Sequence, residues 1–122
     1  MKLAALLTIV CGIAIAADTP ETVMITYQAK PGADAALARV IEKHWATARN
    51  LRLVVDQLHL TLRIVEDDGR VSFVDIFTWR DERIPDSAPA AIQAIWAEMN
   101  AAVESRGGAP GIRIQRVGVV TR

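Results

Sequence analysis

Cysteine is almost missing from this 122-residue chain: Cys11 is the only one, and it lies inside an apolar N-terminal run. Beyond that run the chain therefore has no disulfide, no thiolate metal site and no cysteine nucleophile. Histidine is scarce as well. His44 and His59 are the only two, and neither belongs to a His/Asp/Glu cluster at ligand spacing, so no metal and no cofactor is expected. Net charge is absent: 14 basic side chains stand against 14 acidic ones, which leaves no electrostatic footprint for nucleic acid or an anionic membrane. Gly107 and Gly108 neither follow a strand nor open a helix, so they are no phosphate cradle, and no serine sits in a nucleophile motif. These exclusions leave small molecules, or a second copy of the chain, as partners.

A long apolar run is also lacking. The opening MKLAALLTIVCGIAIAADTPE carries one lysine, an apolar stretch from Leu3 to Ala17 and then polar residues. The stretch is shorter than the roughly 18 residues a spanning helix needs. Ala14-Ile15-Ala16 supplies a small-x-small cleavage pattern, so residues 1–17 read as a secretory signal peptide. Val10 before Cys11, and the early position of the thiol, argue against lipid attachment. The expectation is a periplasmic or secreted protein, free of the membrane after cleavage, with one domain over 18–122.

Within that domain, TVMITYQA alternates as a strand and stops at Lys30-Pro31-Gly32. Leu37, Val40, Ile41, His44, Ala48 and Leu51 then form one helical stripe. His44 reads as a core histidine with one ring nitrogen hydrogen-bonded. HLTLRIV and VSFVDIFTW flank EDDGR as a hairpin. A polar loop, with Asp86 or Ser87 placed to cap, leads into a second helix striped by Ile92, Ile95, Trp96, Met99 and Val103. IRIQRVGVV closes the order strand, helix, strand, strand, helix, strand. That is the ferredoxin-like βαββαβ fold of the α+β class: a four-stranded antiparallel sheet with two helices on one face.

Asp75 interrupts the large apolar side chains of VSFVDIFTW. A three-residue hairpin loop with Gly69 left-handed pairs Glu66 with Arg70, Arg63 with Phe73 and Thr61 with Asp75. The aliphatic sets Val23/Ile25/Tyr27, Leu60/Leu62/Ile64, Val74/Ile76 and Ile112/Ile114 are expected under the helices. The helix-free face then carries Met24, Thr26, Gln28, His59, Thr61, Arg63, Phe73, Asp75, Phe77, Trp79, Arg113 and Gln115. On that face Arg63 is expected beside Asp75, either as a buried structural pair or as the frame of a pocket. The candidate site has His59 and Asp75 as catalytic groups. Thr26, Gln28, Arg63, Phe73, Phe77, Trp79 and Arg113 are its ligand-binding walls, suited to a small aromatic or acidic molecule.

VMITYQAKPG entering the first helix, VDIFTWRD ending the third strand and IQAIWAEM in the second helix resemble the dimeric α/β-barrel superfamily. The likeness is to its antibiotic biosynthesis monooxygenase-like domains and to a group of short exported bacterial proteins. The resemblance spans about residues 22 to 120. It implies a homodimer with two sheets face to face, a pocket on each helix-free face, and cofactor-free oxidation of a phenolic substrate as one activity. In that activity His59 would be the base, and Arg63 with Arg113 would hold the developing anion. The haem-degrading relatives use a first-strand asparagine, whereas Met24, Thr26 and Gln28 stand here. A dimer with no ligand is the third reading, and fold alone does not choose among them.

Overall fold

The computed structural model describes residues 18–121, so the leader read from the sequence lies outside the described residues. The elements are β1 (Glu21–Gln28), α1 (Asp34–Asn50), β2 (Leu60–Val65), β3 (Val71–Trp79), a short 3-10 helix (Ile84–Ser87), α2 (Ala90–Ala102) and β4 (Ile112–Arg116). The strands form one antiparallel sheet in the order β2-β3-β1-β4. Both helices pack on one side of it, as the ferredoxin-like order requires.

Local chemistry sets the boundaries. Gly32 takes a positive φ of 79° in the turn before α1, a conformation that a Cβ disfavours. Asp34 in the first turn and Arg49 in the last complement the helix dipole of α1. Its buried stripe is Leu37, Ile41, His44 and Ala48. α2 begins differently from the expectation: neither Asp86 nor Ser87 caps it. Both lie in the 3-10 helix, and the Pro89 carbonyl accepts the first N–H groups of α2 from Ile92 and Gln93. It also ends one residue early, because Val103 turns extended and bridges to Ala29 at the end of β1.

The hairpin has the expected register. Arg63 faces Phe73 and Thr61 faces Asp75, the Glu66 N–H donates to the Arg70 carbonyl at 2.8 Å, and Gly69 has φ 86°. The hairpin's orientation is the reverse of the expectation. β1 pairs Val23 with Phe77, Ile25 with Asp75 and Tyr27 with Phe73, and directly paired residues share a face. Phe73, Asp75, Phe77 and Trp79 therefore lie beneath the helices with Val23, Ile25 and Tyr27, and all seven are buried. Leu60, Leu62 and Ile64 point away from the helices and stay 46, 45 and 37% exposed. Volume accounts for the choice. Two Phe and a Trp fill the space under α1, which offers only a narrow stripe from its own side.

One buried cation closes the far end of the sheet. Arg106, its side chain 9% exposed, donates to the carbonyls of Ala29 (2.6 Å) and Val71 (2.9 Å), to Ser72 Oγ (3.2 Å) and to Glu104 Oε1 (3.2 Å). It thus ties the α2–β4 connection to the ends of β1 and β3. Arg106→Met should leave the Ala29 carbonyl without a donor and the Glu104 carboxylate without its counter-charge, while the Val71 carbonyl keeps the Ala29 N–H, and so lower the unfolding free energy by about 3 kcal/mol in urea titrations. Arg106→Lys should recover only part of it, since an ammonium cannot reproduce the fork.

Candidate functional site

The site begins at the middle of β3. Asp75 is fully buried, and its Oδ1 accepts from Thr61 Oγ1 at 2.7 Å and meets His59 Nε2 at 3.0 Å. Its Oδ2 has no partner among the described residues. Burial raises the affinity of this carboxyl for a proton, against the opposing pull of the Thr61 and His59 hydrogen bonds. Trp45 of α1 stacks on the His59 ring, with centroids 4.0 Å apart and planes 13° from parallel. The indole covers the outer side of the pair, and the His59 side chain remains 23% exposed.

Beside this pair lies a second histidine. His44, 1% exposed, sits between Phe77 and Trp79 at centroid distances of 5.6 and 5.8 Å. Trp96 of α2 donates its indole N–H to His44 Nε2 at 3.0 Å. A ring nitrogen that accepts carries no proton, so the neutral ring bears its proton on Nδ1, which has no partner among the described residues. Burial, with the neighbouring His59 adding to it, lowers the His44 pKa to about 4. This is the core histidine with one satisfied nitrogen that the stripe of α1 implies.

A cavity of about 550 Å³ opens between α2 and the β1–β4 side of the sheet. Its walls are mostly apolar and include Val23, Ile25, Tyr27, Trp79, Trp96 and Met99, with Glu21 and Arg116 at strand ends. Glu21 and Arg116 form an ion pair at 3.1 Å. Burial first, and the nearby Asp75 charge second, keep the Tyr27 phenol protonated. Its size falls within the range of sites for small organic ligands.

The sheet divides the residues singled out from the sequence. His59, Phe73, Asp75, Phe77 and Trp79 share the helix-covered side, and of these Trp79 lines the cavity. Arg63 does not reach Asp75. It extends from the edge strand to Asp34 at the start of α1, at 3.4 Å and with both side chains exposed. Thr26, Gln28 and Arg113 lie on the helix-free face as expected, paired with Val74, Ser72 and Thr26 respectively, and so are separated from the others by the sheet itself. Among the described residues the sheet thus separates these side chains into two groups. Trp45, Glu21 and Arg116 were not singled out, and Tyr27 and Trp96 were read only as core. The sequence signal for the missed ion pair is opposite charge at the ends of two neighbouring strands. Among the described residues no three His, Cys, Asp or Glu side chains gather as metal ligands, and no helix is long and apolar enough to cross a membrane.

No protein-family model matches the chain, and no curated protein matches it by sequence. Likeness is found among solved structures. A mutant of SnoaB, a cofactor-independent oxygenase from Streptomyces nogalater, aligns over 84% of this chain and 95% of its own with a TM-score of 0.62 and 17% identity. A dimeric ferredoxin-like protein of unknown function from Jannaschia sp. aligns over 83% of this chain and 100% of its own, with a TM-score of 0.59 and 18% identity. Rv0793 from Mycobacterium tuberculosis gives 0.56 at 12% identity over 85 and 98%. The chain is thus a ferredoxin-like α+β domain. Its resemblance to the antibiotic biosynthesis monooxygenase-like domains of the dimeric α/β-barrel superfamily holds at the level of fold.

Two buried ionisable groups, His44 and Asp75, should tilt stability in opposite directions. His44 has a folded pKa below its unfolded value of 6.5, so its contribution is complete above pH 6.5 and is lost as pH falls through about 4. The loss should reach about 3 kcal/mol. His44→Gln keeps an acceptor for Trp96 but does not titrate, and should flatten this slope in denaturation series between those pH values. Asp75 has a raised folded pKa, so its contribution is complete below its unfolded value and is lost as pH rises through the folded one. Asp75→Asn should therefore raise the denaturation midpoint at neutral pH and change little in acid. A lower midpoint at neutral pH would show the His59–Asp75 pair to be net stabilising.

Proposed function

We propose that the chain is an exported homodimer that binds a small, largely aromatic molecule in the cavity between α2 and the sheet. The observation that carries the binding reading is the cavity itself, about 550 Å³ and walled by Tyr27, Trp79 and Trp96. Its mouth is open to solvent, and its size and mostly apolar walls suit a small organic molecule. The dimer reading is supported by Leu60, Leu62 and Ile64, which expose a flat aliphatic face opposite the helices, an exposure that soluble monomers avoid. The Jannaschia protein of the same fold is a dimer. The signal-like leader supports export.

Oxidation is the second reading. It is favoured by the unpartnered Oδ2 of a fully buried Asp75, because carboxylates held at a cost in stability gather at reactive sites. SnoaB is described as a cofactor-independent oxygenase, and a shared fold transfers the scaffold rather than the reaction. His59 and Asp75 do not line the cavity. The base therefore stands apart from the space that a substrate would fill, and binding is the better-supported reading.

Native mass spectrometry of the protein recovered from its own host tests these assignments together. The expected species is a dimer of chains beginning near Ala17 or Asp18, carrying a small-molecule mass per protomer that disappears on denaturation. An empty monomer of full-length chain would overturn the proposal. Leu62→Glu should give a folded monomer in sedimentation experiments, because the side chain is 45% exposed in the protomer. Phe77→Glu would instead break the core under α1, where Phe77 is 1% exposed.

A further inference from the structure

We infer that the cavity selects a positively charged ligand, an aromatic or hydrophobic ammonium whose cation is held by Glu21 and by the ring of Trp96, the aromatic wall residue that is not fully buried. The inference rests on the pocket reading above and adds the ligand's charge to it. The case for an acidic ligand depended on Arg63 and Arg113, and neither belongs to the cavity. Arg63 is engaged with Asp34 at the sheet's outer edge, and Arg113 is exposed on the opposite face.

The charges that do border the cavity are unequal. The Glu21 side chain is 15% exposed and that of Arg116 is 83% exposed. The carboxylate belongs to the cavity wall, and the guanidinium reaches it from water. An ammonium entering the cavity can take the place of Arg116 beside Glu21, and Arg116 then returns to solvent with little loss, since so exposed an ion pair contributes little. An entering carboxylate would meet Glu21 as a like charge in a mostly apolar enclosure. The aromatic walls act in the same direction. The Trp96 N–H is already donated to His44, so the indole offers the cavity ring surface and no hydrogen-bond donor. The face of an electron-rich ring attracts cations and repels anions.

Calorimetric titration of the purified protein at neutral pH with naphthylmethylammonium, naphthylmethanol and naphthoate separates charge from ring burial. The ammonium should bind about tenfold more tightly than the alcohol, and naphthoate should bind most weakly. Glu21→Gln should remove most of the ammonium's advantage over the alcohol, leaving the part due to the ring, and Arg116→Ala should tighten the ammonium by removing its competitor. Circular dichroism melts confirm that both variants fold. Equal affinity for all three probes, or tightest binding of naphthoate with its loss in Arg116→Ala, would overturn the charge assignment and leave the pocket reading standing. Binding of none of the three would overturn the pocket reading together with it.

Discussion

The ladder between β1 and β3 governs everything else in the domain. Once Ile25 stands opposite Asp75, period-two alternation sends every aromatic side chain of β3 under the helices and Leu60, Leu62 and Ile64 of β2 to the other side. A shift of one residue would exchange the two faces. It would leave Leu60, Leu62 and Ile64 beneath α1 and set the Asp75 carboxylate on an open sheet. The observed pairing instead encloses that carboxylate with Thr61 and His59, which come from the neighbouring strand and the residue just before it, and places the Trp45 indole over the exit.

The order of elements was legible because each had a strong local signal: the stripe of α1, the turn at Lys30-Pro31-Gly32 and the glycine of the hairpin loop. The hairpin register was legible for the same reason, since a local loop and two flanking strands determine it. The face assignment was not. Alternation divides a strand into two sets but does not say which set meets the helices when both are apolar, and β2 and β3 have apolar residues on both faces. Only the non-local pairing with β1 decides it. The reading of Val23, Ile25 and Tyr27 as helix-facing was correct, and so was that of Ile112 and Ile114. The error lay in joining those strands to the hairpin with the wrong side up. It carried Asp75 to the helix-free face; Arg63 shares the face of Asp75 in either orientation, but turns to Asp34 and leaves Asp75 to His59.

Asp75 remains the least comfortable group in the fold. A buried carboxylate with two hydrogen bonds on one oxygen and none on the other is only partly compensated for leaving water. Its surroundings are otherwise apolar or neutral. Tyr27 is held protonated and His44 is held neutral, so these two nearby groups avoid charge. Arg63 could have supplied a permanent counter-charge from the same strand, but it is engaged at the edge by Asp34. Asp75 thus has an imidazole and a hydroxyl as its partners rather than a fixed cation.

All the aromatic residues of the chain, Tyr27, Trp45, Phe73, Phe77, Trp79 and Trp96, belong to the layer between sheet and helices or to its rim, and they divide it into two unequal halves. Toward β2 and α1, Phe73, Phe77 and Trp45 fill the space around the Asp75–His59 pair. Toward β4 and α2, Tyr27, Trp79 and Trp96 surround a hollow. His44 stands at the boundary, touching Phe77 and Trp79 and accepting from Trp96. That hydrogen bond runs from one helix to the other and fixes an indole of the cavity wall. Protonation of His44 would turn its Nε2 from acceptor to donor and set two N–H groups against each other in a buried contact. One indole of the cavity wall is therefore held by a hydrogen bond that His44 accepts only while its ring is neutral.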